Sequence, residues 1–186
     1  MTTAAVVLAA GGGSRFEGSV HKLLADLDGR PVVAHAVGAA VEAGLDEVLV
    51  VVGAVDLVDA LPPGVVIVEN PRWADGQATS VRAGLDAAAE RGHDAVVIGL
   101  GDQPFVGAEP WRAVSAAVEH PIAVATYDGV RRNPVRLSRE VWDLVPNEGD
   151  EGARVLMRSR PELVGEVPCQ GTAADIDTVE DLEQWS

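Results

Sequence analysis

The sequence predicts one three-layer α/β domain, Rossmann-like and doubly wound around a mostly parallel sheet. Three observations lead there. Short runs of Val, Ile, Leu and Ala alternate with longer amphipathic stretches, the order of βαβ units. Each run is almost continuously apolar, as strands covered on both faces must be. A glycine-rich segment directly follows the first run, at the strand end where such folds hold ligands. No repeat, linker or low-complexity tract divides the 186 residues, so 1–186 reads as a single domain.

Strands are expected at 4–8, 47–52, 65–68, 95–100 and 122–126. Pro31 opens a helix whose apolar spacing runs through 32–43, and Gly44 supplies its left-handed stop. Thr79 or Ser80 caps a second helix running through Ala83, Leu85 and Ala88 to Gly92. A third covers 108–119 and ends at His120-Pro121. The last third is less regular: a turn at Asp128-Gly129, a strand at 133–137, short helices at 140–144 and 153–158, a strand at 163–167, and a helix over 178–185. Thr178 caps that last helix, with Asp181 in its first turn.

Charge narrows the function. Fourteen basic residues stand against 29 acidic ones, a net charge of -15, which leaves no basic stripe for a nucleic-acid backbone. The 47% hydrophobic content excludes a disordered chain. A single cysteine, Cys169, excludes an internal disulfide framework and a cysteine zinc cluster. The first residues lack a basic segment, and their apolar run breaks into glycines, so no signal peptide or membrane span is expected and the protein reads as cytoplasmic. Thirteen of the 14 basic residues are arginine; the one lysine, Lys22, follows the glycine segment.

That segment reads Leu8-Ala9-Ala10-Gly11-Gly12-Gly13-Ser14-Arg15. Three glycines let backbone amides approach and surround one anion. A dinucleotide fingerprint from Gly11 fails at Phe16, and a Walker loop from Gly13 fails at Ser19, where its lysine belongs. What remains is an amide cradle flanked by Arg15 and Lys22, which suits a triphosphate. Asp102 stands just past the fourth apolar run, on the sheet edge of the glycine loop, where a magnesium ion bridging phosphates needs a carboxylate. Asp175 and Asp177 share a face if their stretch is extended. His21, His35, His93 and His120 read as surface or packing residues, and the four tryptophans as packing residues, with Trp73 beside a site loop.

With these motifs in place the chain resembles the MobA-like nucleotidyltransferases, in their molybdenum cofactor cytidylyltransferase branch. The resemblance rests on Leu-Ala-Ala-Gly-x-x-x-Arg at 8–15 with Lys22, on 70–84 with Gly76 and Ser80, and on Leu-Gly-Asp-Gln-Pro at 100–104. Gly-Asp-Glu-Gly-Ala-Arg at 149–154 and Asp-Ile-Asp-Thr at 175–178 complete it. It implies transfer of a nucleotidyl group from a nucleoside triphosphate to a phosphorylated acceptor, with Mg²⁺ as cofactor. It places Leu8, Ala9, Ala10, Gly11, Gly12, Gly13, Ser14, Asn70, Gly76 and Ser80 at the nucleotide, and Arg15 and Lys22 on its phosphates. Asp102 and Asp177 would hold the metal, and Gln103, Arg132, Asn133 and Arg154 the acceptor. Ala9-Ala10-Gly11 resembles the branch that takes CTP rather than GTP. The implied acceptor is molybdopterin, with a molybdoenzyme as client.

An acceptor that is a phosphate monoester is already anionic, so alignment and charge neutralisation carry the chemistry without a strong general base. The chain departs from the branch at Arg132-Asn133-Pro134, where Gly-His-Pro is usual. This departure keeps open another phosphorylated acceptor, such as another pterin or a sugar phosphate. From other classes come a flavin- or nicotinamide-dependent oxidoreductase on the same architecture and a non-catalytic nucleotide-binding chaperone.

Overall fold

The computed structural model describes residues 1–185. Along the chain run β1 (Thr3–Ala9), a small hairpin of β2 (Asp26–Leu27) and β3 (Arg30–Pro31), α1 (Val32–Ala43), β4 (Glu47–Val52), β5 (Val66–Glu69), α2 (Gln77–Glu90) and β6 (Ala95–Leu100). Then follow α3 (Ala108–Ala116), β7 (Ile122–Tyr127), β8 (Val130–Ser138), α4 (Ala153–Ser159), β9 (Val164–Pro168) and α5 (Val179–Trp185), with single 3-10 turns between several of them.

The main sheet has seven strands in the order β5-β4-β1-β6-β8-β7-β9. Every pairing is parallel except those of β8, which runs antiparallel to both β6 and β7. Alternation along β1 divides the core. Ala4, Val6 and Leu8 pack with Val81 and Leu85 of α2, whereas Ala5, Val7 and Ala9 pack with Val33 and Val37 of α1 and Trp111 of α3. Helices therefore cover both faces, which is why the central strands read as unbroken apolar runs.

β8 brings new residues to the site. The parallel strands end at one edge, and an antiparallel strand starts there, so the beginning of β8 lies beside the carboxyl ends of β6 and β7, with β1 one strand further on. Its register with β7 slips between Val124 and Ala125, leaving Asn133 and Pro134, joined by a cis peptide bond, outside the ladder.

Some expected boundaries differ. The second helix starts at Gln77, with Gly76 rather than Thr79 or Ser80 at its cap, because the Gly149 carbonyl accepts from the Ala78 amide and leaves the hydroxyls other work. The third helix stops at Ala116, since Pro121 disfavours helix at His120 and an exposed Val118 offers no apolar contact to hold another turn. The strand expected at 133–137 extends from Val130 to Ser138, and the segment at 140–144 is a 3-10 turn over Arg139–Leu144.

Candidate active site

The carbonyls of the glycine loop are tied down. Leu8 accepts from the Gly101 amide, Ala10 from Ala54 and Gly13 from Phe16. Gly11 accepts from Nε2 of His21 at 3.0 Å, while Nδ1 of His21 accepts from the Leu23 amide. These two bonds require the neutral imidazole, and desolvation lowers its pKa accordingly. By contrast, the amides of Gly11, Gly12, Gly13 and Ser14 have no acceptor among the described residues. The loop is thus a set of unspent donors held by its own carbonyls, an anion nest.

The loop opens on a cavity of about 580 Å³ lined by Leu8, Ala9, Ala10, Gly11, Gly12, Gly13, Ser14, Arg15, Lys22, Gly76, Ser80, Asp102 and Asp177. Trp73 forms a side wall, its ring so near Gly12 that a Cβ there would stand 3.0 Å from it. Gly76 has a φ of 109°, and a Cβ would meet the Gly149 carbonyl at 2.6 Å, so only glycine lets the 149–150 loop close over the start of α2. Ser80 accepts from Asn70 and keeps a hydroxyl proton with no acceptor among the described residues.

Asn70 does not join this cavity. It is buried, its amide donates to Thr79 and Ser80, and its carbonyl oxygen accepts from the Arg72 amide. It therefore orients the first turn of α2 and has nothing left for a nucleotide. Gln103 is likewise 2% exposed and lines neither this cavity nor the neighbouring one that holds Arg132, Asn133 and Arg154.

At the floor of the cavity Nζ of Lys22 lies 2.6 Å from Oδ2 of Asp102 and 2.9 Å from Oδ1 of Asp177. Desolvation pulls the ammonium's pKa down, but the charges and hydrogen bonds of Asp102 and Asp177 outweigh it and hold the group above its ordinary value. Arg15, 76% exposed, reaches Oδ2 of Asp177 at 3.0 Å. Asp177 owes its place to a reciprocal cap, in which Oδ2 of Asp181 accepts from the amides of Asp177 and Thr178 and Oγ1 of Thr178 accepts from the Asp181 amide. The short helix behind it is anchored by Trp185 on Phe105, with ring centroids 4.5 Å apart.

The carboxylates fit a magnesium ion. Oδ1 of Asp102 is buried without a hydrogen-bond partner, an unspent hard oxygen beside Asp177. No cluster of three or more potential ligands exists among the described residues, and magnesium needs none, being held by one or two carboxylates with waters and substrate phosphates.

A second cavity of about 290 Å³ shares Leu8, Gln77 and Leu100 with the first. Val81, Ile98, Val124, Val135 and Met157 give it an apolar floor, and Arg131, Arg132, Asn133, Arg154 and Arg158 stand around it. Arg131 pairs with Glu166 and Arg158 with Glu151, whereas among the described residues Arg132 has no carboxylate partner and Arg154 makes no direct ion pair, its charge acting on Glu151 from a longer range. The two cavities meet at the end of β1. Sequence reasoning set His21 aside as a surface or packing residue and did not single out Asp150, which lines the first cavity; only the adjacency of His21 to Lys22 and of Asp150 to Gly149 could have flagged them, whereas Gln77 lies in the stretch 76–80 that the family resemblance puts at the nucleotide.

The domain description "MobA-like NTP transferase domain" matches residues 5–164. The chain is 33% identical over 198 residues to nicotine blue oxidoreductase from Paenarthrobacter nicotinovorans, covering 95% of this chain and 93% of that protein. It is 38% identical over 123 residues to 2-C-methyl-D-erythritol 4-phosphate cytidylyltransferase from Cereibacter sphaeroides, covering 64% and 55%. Among solved structures, Rv0371c from Mycobacterium tuberculosis H37Rv superposes with a TM-score of 0.84 at 29% identity over 100% of this chain and 97% of that one. Its complex with manganese gives 0.78 at 27% over 100% and 98%.

Proposed function

Because the chain belongs to the MobA-like NTP transferase family, we propose that it transfers CMP from CTP to the phosphate of a molybdopterin-type cofactor in the cytoplasm and releases pyrophosphate. The observation that carries the reading is the pair of adjoining cavities, one floored by open amides and the sole lysine, the other apolar and rimmed by arginines of which Arg132 and Arg154 make no direct ion pair among the described residues. A triphosphate suits the first, and a flat anionic acceptor the second.

The acceptor's phosphate oxygen attacks the α-phosphorus, and the bond from that phosphorus to the bridging oxygen breaks, its electron pair leaving with pyrophosphate. The acceptor oxygen is already charged, so no residue need remove a proton. Lys22 has three N–H donors and spends two on Asp102 and Asp177, leaving one for the α-phosphate. Arg15 spends one contact on Asp177 and lies exposed, with donors for the outer phosphates. The amides of Gly11 to Ser14 add neutral donors fixed before the substrate arrives. Asp102 and Asp177 would hold a magnesium ion, which would supply positive charge toward the triphosphate, a reading that the manganese complex of the Rv0371c relative supports.

The end-to-end similarity to nicotine blue oxidoreductase favours a second reading, in which the two cavities hold a nicotinamide dinucleotide and an aromatic dye for hydride transfer. One experiment separates them. Pyrophosphate release from CTP, GTP and ATP with Mg²⁺ and molybdopterin is followed beside NADH and NADPH oxidation with dye acceptors. CTP-selective release supports the transferase; dye-dependent nicotinamide oxidation without pyrophosphate overturns it.

A further inference from the structure

We infer that Gln103 is a positioning residue, whose buried amide sets the separation and aim of the Asp102 and Asp177 carboxylates. The inference rests on the reading that these two carboxylates hold a divalent cation. Asp177 reaches the site on a segment from the far end of the chain, and three bonds stitch that segment to the turn after β6. Nε2 of Gln103 donates to Oδ1 of Asp175 at 2.7 Å and to the Ala173 carbonyl at 3.2 Å, and the Ile176 amide donates to the Asp102 carbonyl at 2.9 Å. Ile176, fully buried against Ala25, Leu27 and Val32, pins the segment's other face.

The amide has one workable orientation. A carboxylate and a carbonyl only accept, so the NH₂ end must face Asp175 and Ala173. Oε1 is then left buried and without a partner, and Gln103 lines a small space together with Trp111 and with Asn133 and Pro134 of β8. Glutamate here would set one carboxylate against another beside two more, and methionine would leave the Ala173 carbonyl without its donor. Gln103 thus bonds to the segment that carries Asp177 and lines a space with Asn133 and Pro134, while bonding to neither ligand.

The test is Mn²⁺ binding, read by electron paramagnetic resonance with a non-hydrolysable CTP analogue present, in wild type and in Gln103→Met, Asp175→Ala and Asp175→Asn. The last two remove the same charge, but only the asparagine keeps an oxygen to accept from Gln103. Gln103→Met is expected to weaken Mn²⁺ about 10-fold, the usual scale for a residue that orients a ligand. Nucleotide binding in EDTA should stay unchanged, and Asp175→Ala should weaken Mn²⁺ several times more than Asp175→Asn. Wild type that binds no Mn²⁺ overturns the cation reading and this inference with it. Wild type that binds while Gln103→Met binds equally well overturns the inference alone. Should Gln103→Met fail to fold, equal affinities in the two Asp175 variants overturn it.

Discussion

Lys22 and Asp177 stand 155 positions apart in the chain, yet the ammonium lies 2.9 Å from Oδ1 of the aspartate while its second hydrogen bond goes to Asp102. One cation therefore holds two carboxylates from distant segments at the floor of the larger cavity, so the residue proposed for the chemistry is also one that ties the fold together.

Lys22→Met removes that cation and leaves two carboxylates facing each other. Pyrophosphate release is expected to fall by at least about 100-fold, the scale for losing a fixed donor to transition-state charge. Stability should drop by about 1–3 kcal/mol, because two partly buried acceptors lose their partner. A coupled pyrophosphate assay and urea denaturation check the two effects, and unchanged turnover would remove Lys22 from the chemistry.

Arg132→Ala and Arg154→Ala, each removing a guanidinium that makes no direct ion pair among the described residues, should raise KM for the acceptor about 10-fold and leave KM for CTP within about twofold. An equal rise for CTP would show that the arginines serve the donor instead.

Trp73 walls the nucleotide cavity, whereas Trp111 and Trp142 are buried. CTP should change the intrinsic fluorescence of the wild type, and Trp73→Phe should abolish most of that change in a titration at constant protein. A full response from the variant would place the nucleotide elsewhere.

Glu47 accepts from Nε of Arg91 at 2.5 Å, from Nη2 at 2.8 Å and from His93 at 3.1 Å. The Arg91 hydrogen bond above all lowers its carboxyl from 4.5 to about 2. A folded-state pKa below the unfolded one adds stability at pH above 4.5 and loses it as pH falls toward 2. Urea midpoints across that window should fall less steeply in Glu47→Gln than in the wild type.

Gly84 lies where α2 crosses β1, and a Cβ there would stand 2.6 Å from Cγ1 of Val6. Gly84→Ala improves helix propensity but overpacks this crossing. A net loss of about 1–3 kcal/mol in urea denaturation is expected.

Most of the sheet was legible because its central strands are covered on both faces, so their sequence carries little besides Val, Ile, Leu and Ala. The α2 start was not, because its cap comes from the Gly149 carbonyl, more than 70 residues away in the chain and invisible to any local pattern. The glycine loop, Lys22, Asp102 and Asp177 could be named since each is a special residue type at a strand end or turn. Asn70 and Gln103 were assigned to ligands because a side-chain amide looks the same in sequence whether it faces substrate or protein. Only their burial, with partners such as Thr79 and Asp175, separates the two uses.

The long reach from Lys22 to Asp177 also sets a clock on biosynthesis. At about 5–20 residues per second, a ribosome needs on the order of 4 to 15 s to go from Asp102 to Asp177. Throughout that interval a nascent chain carries the phosphate loop, its lysine and one aspartate, but not the second. The centre is completed by one of the later segments to emerge, so a partly synthesised chain that has already folded its first strands still lacks the carboxylate that pairs with Lys22 and Arg15.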